Sequence, residues 1–165
     1  MTVMLRDMRL SDVAAVRALE QRTFATTWQE SAFENELKNN PTAIYLVLED
    51  GGLLGYAGFW VVDHEAHVTS IALDSTRRGQ GLGKRLMLAM VRRALEAGAC
   101  WMTLEVRADN RVAQNLYRRF GFYRVGIRPR YYENSVDAWI MWAGNLASES
   151  YQQRLLELEA GVPKP

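Results

Sequence analysis

The chain has 165 residues, a length typical of a single domain and sufficient for a hydrophobic core without disulfides. Hydrophobic residues at 48% and charged residues at 24% exclude wholesale disorder. Twenty Lys and Arg against 19 Asp and Glu leave a balance of +1, which argues against a dedicated nucleic-acid binder or a polybasic membrane module but not against a local basic pocket. The one cysteine, Cys100, can form neither an internal disulfide nor a Cys-rich zinc site, and reads as a small buried hydrophobe. Arg6, Asp7, Arg9 and Asp12 interrupt any apolar run at the start, and no stretch approaches the ~18–20 apolar residues of a membrane span. The expectation is a soluble cytoplasmic domain without nucleic-acid or membrane partners.

In chain order, Thr2 to Arg9 alternates loosely as a strand does, and Ser11 can cap a helix with Val13, Val16 and Leu19 on one face. Thr27-Trp28-Gln29-Glu30 has the form of a capping box opening a second short helix with Phe33 and Leu37 on one side, ended by Pro41. Ala43 to Leu48 and Leu53 to Val62 read as a hairpin around Asp50-Gly51-Gly52, and His67 to Leu73 as a further strand. A helix follows from Leu82 to Gly98, then a strand of little polar content from Trp101 to Val106, as expected in mid-sheet. Asp109 or Asn110 can cap a helix with Val112, Leu116 and Phe120 at four-residue intervals, stopped by Gly121. Phe122 to Ile127 and Ala138 to Ala143 are the last strands, joined by a loop rich in Arg and Tyr; Tyr151 to Glu159 can form a short amphipathic helix. This mixed order implies an α/β domain with a largely antiparallel sheet and one or two crossovers.

Gly79, Gly81 and Gly83, between a strand and a helix, form an anion site, because helix-start amides and the helix dipole favour phosphate. A dinucleotide fingerprint fails, since the third glycine falls one residue early. A P-loop fails too, since Arg78 and Arg85 stand where Gly and Ser or Thr are needed. What remains is Arg78-x-x-Gly81-x-Gly83 after Ile71-Ala72-Leu73, which resembles the acetyl-CoA loop of the GCN5-related N-acetyltransferases (GNAT). Downstream, Leu104-Glu105-Val106-Arg107, Asn110, Ala113, Leu116-Tyr117 and Gly121-Phe122 resemble the RimI branch of that superfamily, the bacterial ribosomal-protein-alanine N-acetyltransferases. The resemblance runs from about Val68 to Met141, and more loosely from Leu5.

It implies the GNAT fold, a mixed, mostly antiparallel sheet of about seven strands flanked by about four helices, over residues 1–146, with 147–165 as a tail. It implies acetyl-CoA as cosubstrate and no metal. Ile71, Ala72 and Leu73 would line the pantetheine arm, Arg78, Gly79, Gln80, Gly81, Leu82, Gly83 and Lys84 would take the phosphates, and Asn110 would lie near the pantetheine. Glu105 would be the general base, acting through a water on an α-amine of pKa about 7.7–8.0, and Tyr117 the general acid for a thiolate near ~8.5. A lone Glu in a buried strand is costly; a structural pairing with Arg107 or a Tyr is the plainer alternative, whereas in a site partial burial would raise its pKa. For Tyr117 the plainer alternative is packing beside Leu116 and Phe120.

Arg128-Pro129-Arg130-Tyr131-Tyr132 before Asp137-Ala138 matches the R-x-Y-Y…D-A segment of the RimI-like enzymes, so Tyr131 and Tyr132 would grip the acceptor peptide opposite Trp28. Thr27 departs from the proline usual before that tryptophan. The acceptor implied is a protein N-terminus, the N-terminal alanine of a small-subunit ribosomal protein, attacking directly in a ternary complex. Lysine, a small-molecule amine, a broader range of N-termini and a non-catalytic cofactor-binding role remain open. His64 and His67 lie three apart beside a strand rather than four apart on a helix, and read as a turn with two polar histidines.

Overall fold

The computed structural model of the chain describes residues 2–24, 32–77 and 79–161, and these form seven strands and five α-helices. They are β1 (Met4–Asp7), α1 (Val13–Thr23), α2 (Ala32–Asn39), β2 (Ala43–Glu49), β3 (Leu53–Val62), β4 (Glu65–Leu73), α3 (Leu82–Glu96), β5 (Trp101–Arg107), α4 (Arg111–Arg119), β6 (Tyr123–Tyr132), β7 (Val136–Ala143) and α5 (Glu149–Ala160). The strands make one sheet in the order β1-β2-β3-β4-β5-β7-β6. Only β4 and β5 are parallel, because the chain crosses over through α3 between them; every other pair is antiparallel. The mostly antiparallel α/β architecture read from the sequence holds. The helix count exceeds the expected four because the tail forms α5.

Each face of the sheet has its own core. Val13, Val16 and Leu19 of α1 and Phe33 of α2 pack on Tyr45, Val47, Tyr56 and Ala72. On the other face Leu86, Met90 and Val91 of α3 and Tyr117 of α4 pack on Ala57, Phe59, Leu104 and Val106. The tail belongs to this second core: Leu155 is fully buried, and the Tyr151 hydroxyl donates to the Phe120 carbonyl at 2.6 Å. Strand β5 alternates across the sheet, so Met102, Leu104 and Val106 face α3 and α4, and Thr103, Glu105 and Arg107 face the α1 side.

A bulge in β4 sets up the site. Gly58 pairs with Ser70 but Phe59 with Val68, leaving Thr69 as the extra residue. The slip puts Thr69 and Ser70 both on the α1 side, where their hydroxyls meet those of Tyr45 at 3.2 Å and Tyr56 at 2.6 Å.

Four local expectations are corrected. Ser11 does not cap α1; a 3-10 turn over Leu10–Asp12 precedes the helix, and Asp12 Oδ2 accepts from the Arg9 amide at 2.7 Å. Val112 is 81% exposed, because the core face of α4 runs instead through Ala113, Leu116, Tyr117 and Phe120. Cys100 is exposed, and Ala99 takes the buried place beside it. The Arg- and Tyr-rich segment is no long loop: β6 reaches Tyr132 and β7 begins at Val136, with Glu133 and Asn134 turning at positive φ. The capping box at 27–30 lies outside the described residues.

Candidate active site

Parallel pairing of β4 with β5 stops early. Glu65, Ala66 and His67 pair with Trp101, Met102 and Thr103, and beyond them the strands part. The opening is a cavity of about 690 Å³ bordered by Val68 to Ile71 on one side and Leu104 to Arg107 on the other. It passes through the sheet: Glu20 and Phe24 of the α1 side border it, and so do Asn110 and Tyr117 on the α4 side. Of the residues singled out from sequence, Ile71, Glu105, Asn110, Tyr117, Tyr131 and Tyr132 meet here.

Glu105 sits half-buried on the α1 side of this passage. His67 Nε2 lies 3.1 Å from its Oε2 and Arg128 Nη2 3.5 Å from its Oε1. Neither partner is the Arg107 or tyrosine considered from sequence; Arg107 instead pairs with Glu133 at 2.8 Å and Asp109 at 3.0 Å. The pKa expectation is corrected as well. The hydrogen bond to His67 outweighs burial and, with the positive charge of His67 and Arg128, holds the Glu105 carboxyl below the usual carboxylate range. The same bond raises His67 above its ordinary 6.5.

His67 is therefore the residue that sequence reasoning missed, set aside as a turn histidine. Its signal is the parallel register: His67 stands opposite Thr103, and Glu105 is the next β5 residue on that face. That signal is readable only once β4 and β5 are known to be neighbours.

Tyr117 is 5% exposed, and among the described residues its hydroxyl has no hydrogen-bond partner. Burial pushes the phenol well above its ordinary value, so it is protonated throughout the physiological range. Asn110 caps α4, its Oδ1 accepting from the Ala113 amide at 3.1 Å, which leaves the side-chain NH₂ available as a donor. Tyr131 and Tyr132 stand edge to face at 5.1 Å, held by Arg128 over the first ring and Arg107 over the second. Tyr132, mainly through burial, is pushed up to about 12.

The glycine loop lies outside the cavity lining. Gly79 and Gly81 take φ of +82° and +75°, where an L side chain is strained, and open space faces both. Gln80 is exposed and accepts from Arg77 at 3.2 Å, while Leu82 is buried and Gly83 packs closely on Leu73 and Leu116. Gly81 ends the loop at the N-terminus of the 15-residue α3, with Lys84 in its first turn. Ala72 is buried in the α1-side core, and Leu73 packs against the other. Free amides at a helix start, open glycines, and a β4 edge with no strand partner beyond His67 fit a pyrophosphate followed by an extended amide-bearing arm. Arg78 and Trp28 lie outside the described residues.

A model of the acetyltransferase (GNAT) family matches residues 13–122. A Bacillus subtilis protein provisionally named [ribosomal protein bS18]-alanine N-acetyltransferase is 44% identical over 140 residues, 84% of this chain and 93% of that one. The N-alpha-acetyltransferase RimI of Mycobacterium tuberculosis is 37% identical over 79% of this chain and 85% of its own. The crystal structure of the ribosomal-protein-S18-alanine N-acetyltransferase from Escherichia coli superposes with a TM-score of 0.79 at 30% identity, covering 87% of this chain and 94% of that one.

Proposed function

The chain belongs to the acetyltransferase (GNAT) family, and from that premise we propose that it carries acetyl from acetyl-CoA to the N-terminal α-amine of a protein, the N-terminal alanine of a small-subunit ribosomal protein. One observation carries the reading: a passage through the sheet has a carboxylate, Glu105, at its α1 side and a protonated phenol, Tyr117, at its α4 side. Acetyl-CoA, when bound, supplies an activated thioester carbonyl to the amine. The chain's own groups do the rest.

The acceptor enters on the α1 side, where Tyr131 and Tyr132 flank its first residues. Glu105 stays ionised and accepts the amine's proton through a water. A carboxylate held low is a weak base, which suffices because an α-amine is already partly neutral at pH 7. Tyr117 keeps its proton at Oη and offers it to the departing sulfur. Since the buried phenol is a weaker acid than a thiol of about 8.5, its contribution is a hydrogen bond to the developing thiolate more than complete transfer. Loop amides from Gly79 to Lys84, with Arg78, hold the phosphates, and the edge of Ile71 to Leu73 and the Asn110 amide hold the pantetheine. No covalent enzyme intermediate is required.

The test is CoA release with two alanine-initial peptides that each contain one lysine, one of them N-terminally blocked. Release with the free N-terminus alone is the expected result. Equal release with both would shift the assignment to lysine, and silence with both, despite cofactor binding, would overturn protein acetylation.

A further inference from the structure

Charge is unevenly spread along this chain. Between Arg107 and Tyr132 lie seven arginines and one carboxylate, Asp109, a surplus of six in a protein whose whole balance is +1; the remainder carries −5. Elsewhere Arg6, Arg77, Arg92 and Arg93 each hold a carboxylate. Arg111, Arg118 and Arg124 are exposed and, among the described residues, make no ion pair. Two of them stack on Trp139, and the third shares a hollow with it. Arg118 and Arg124 place their guanidiniums over Trp139 at 5.7 and 5.0 Å, and Arg111 and Arg118 line with it a hollow of about 320 Å³ between α4 and β7.

The fold does not account for this cluster. Arg118 in the last turn of α4 complements the helix dipole, but Arg111 stands in the first turn, where a cation is unfavourable and no acidic residue offsets it. Ala108, at the rim, follows directly on Arg107 of the cavity, and Trp139 stands opposite Val106, so the hollow adjoins the α4 side of that cavity.

We propose that the hollow lined by Arg111, Arg118 and Trp139, with Arg124 stacked on the same ring, binds single-stranded RNA on the α4 face of the sheet. Guanidiniums match phosphate oxygens in pairs, and a flat Arg–Trp stack offers nucleobases a surface. An acidic peptide would answer the charge but leave that stack unused. The proposal rests on the ribosomal-protein reading of the acceptor, because such an acceptor works in contact with RNA.

The experiment is fluorescence anisotropy of a labelled single-stranded RNA of mixed sequence with the full chain over a range of KCl concentrations, with polyglutamate as competitor. The expected result is salt-dependent binding that polyglutamate does not displace at equal charge. Arg118→Glu with Arg124→Glu weakens it about tenfold or more and lowers the salt slope by about 1.4, or ~0.7 for each phosphate no longer neutralised. Acetylation of a short alanine peptide is unchanged, which also reports the fold. Should the pair misfold, Arg111→Glu, which relieves the clash with the dipole, carries the same expectation with half the slope change. No RNA binding, unchanged binding by folded variants, or equal displacement by polyglutamate would each overturn the proposal. A chain that acetylates the peptide but ignores RNA loses only this inference; one that binds RNA but acetylates neither peptide loses the acetyltransferase reading instead.

Discussion

Glu105 and His67 form a pair whose protonation sets a working window. Glu105→Gln removes the proposed proton acceptor while keeping the side chain's shape, and turnover is expected to fall about 10²-fold or more with acetyl-CoA binding retained in calorimetry. Unchanged turnover would remove Glu105 from the base role. His67→Ala removes the bond that holds the carboxyl down, so the acid limb of the kcat/KM profile moves to higher pH; a limb that stays in place would mean that His67 does not set the base. The pair also contributes to stability. A depressed carboxylate contributes fully above its ordinary 4.5 and a raised histidine fully below its ordinary 6.5. Hence the difference in Tm between the parent and His67→Ala is largest between those values, and shrinks as pH rises through the folded-state value of His67. Tyr117→Phe deletes a hydroxyl that lacks a partner among the described residues, so it should slow turnover while leaving the melting curve within about 0.5 kcal/mol of the parent.

Among the elements, β4 does most to shape the site, and Gly58 shows why its bulge is tightly specified. A Cβ at Gly58 would come within 2.1 Å of the Tyr45 ring, the ring whose hydroxyl meets Thr69 of the bulge. Gly58→Ala is therefore expected to destabilise the fold by about 1–3 kcal/mol in urea unfolding and to impair acceptor binding. On the other face, Tyr151→Phe leaves the buried Phe120 carbonyl without the hydroxyl that α5 supplies, costing about 1–2 kcal/mol. Strands with regular alternation or turn residues at their ends were legible from sequence, as was the glycine-headed α3. The bulge was not, because one extra residue leaves the apolar composition of β4 intact while reversing which side its hydroxyls face. The true face of α4 was hidden by Val112, an apolar residue at the right spacing from Leu116 but on the outer side of the helix.

At the scale of the molecule, the order of elements and the motif residues were enough to foresee a mostly antiparallel sheet with a crossover. The composition of the site was legible to the extent that a motif named its members: Glu105, Asn110, Tyr117, Tyr131 and Tyr132 do share one cavity. Pairings between strands far apart in sequence were not, and His67 and Arg128, which set the charge on Glu105, come from elements 38 and 23 residues away from it. The parting of β4 from β5 gives the enzyme two doors in one wall. If the acceptor uses the α1 door and acetyl-CoA the other, neither blocks the other's way in or out. Steady-state kinetics should then show no compulsory order, with CoA competing against acetyl-CoA and the acetylated peptide against the free one. A shed CoA can be exchanged for a fresh acetyl-CoA while the finished chain end is still leaving, and the two halves of the cycle overlap in time.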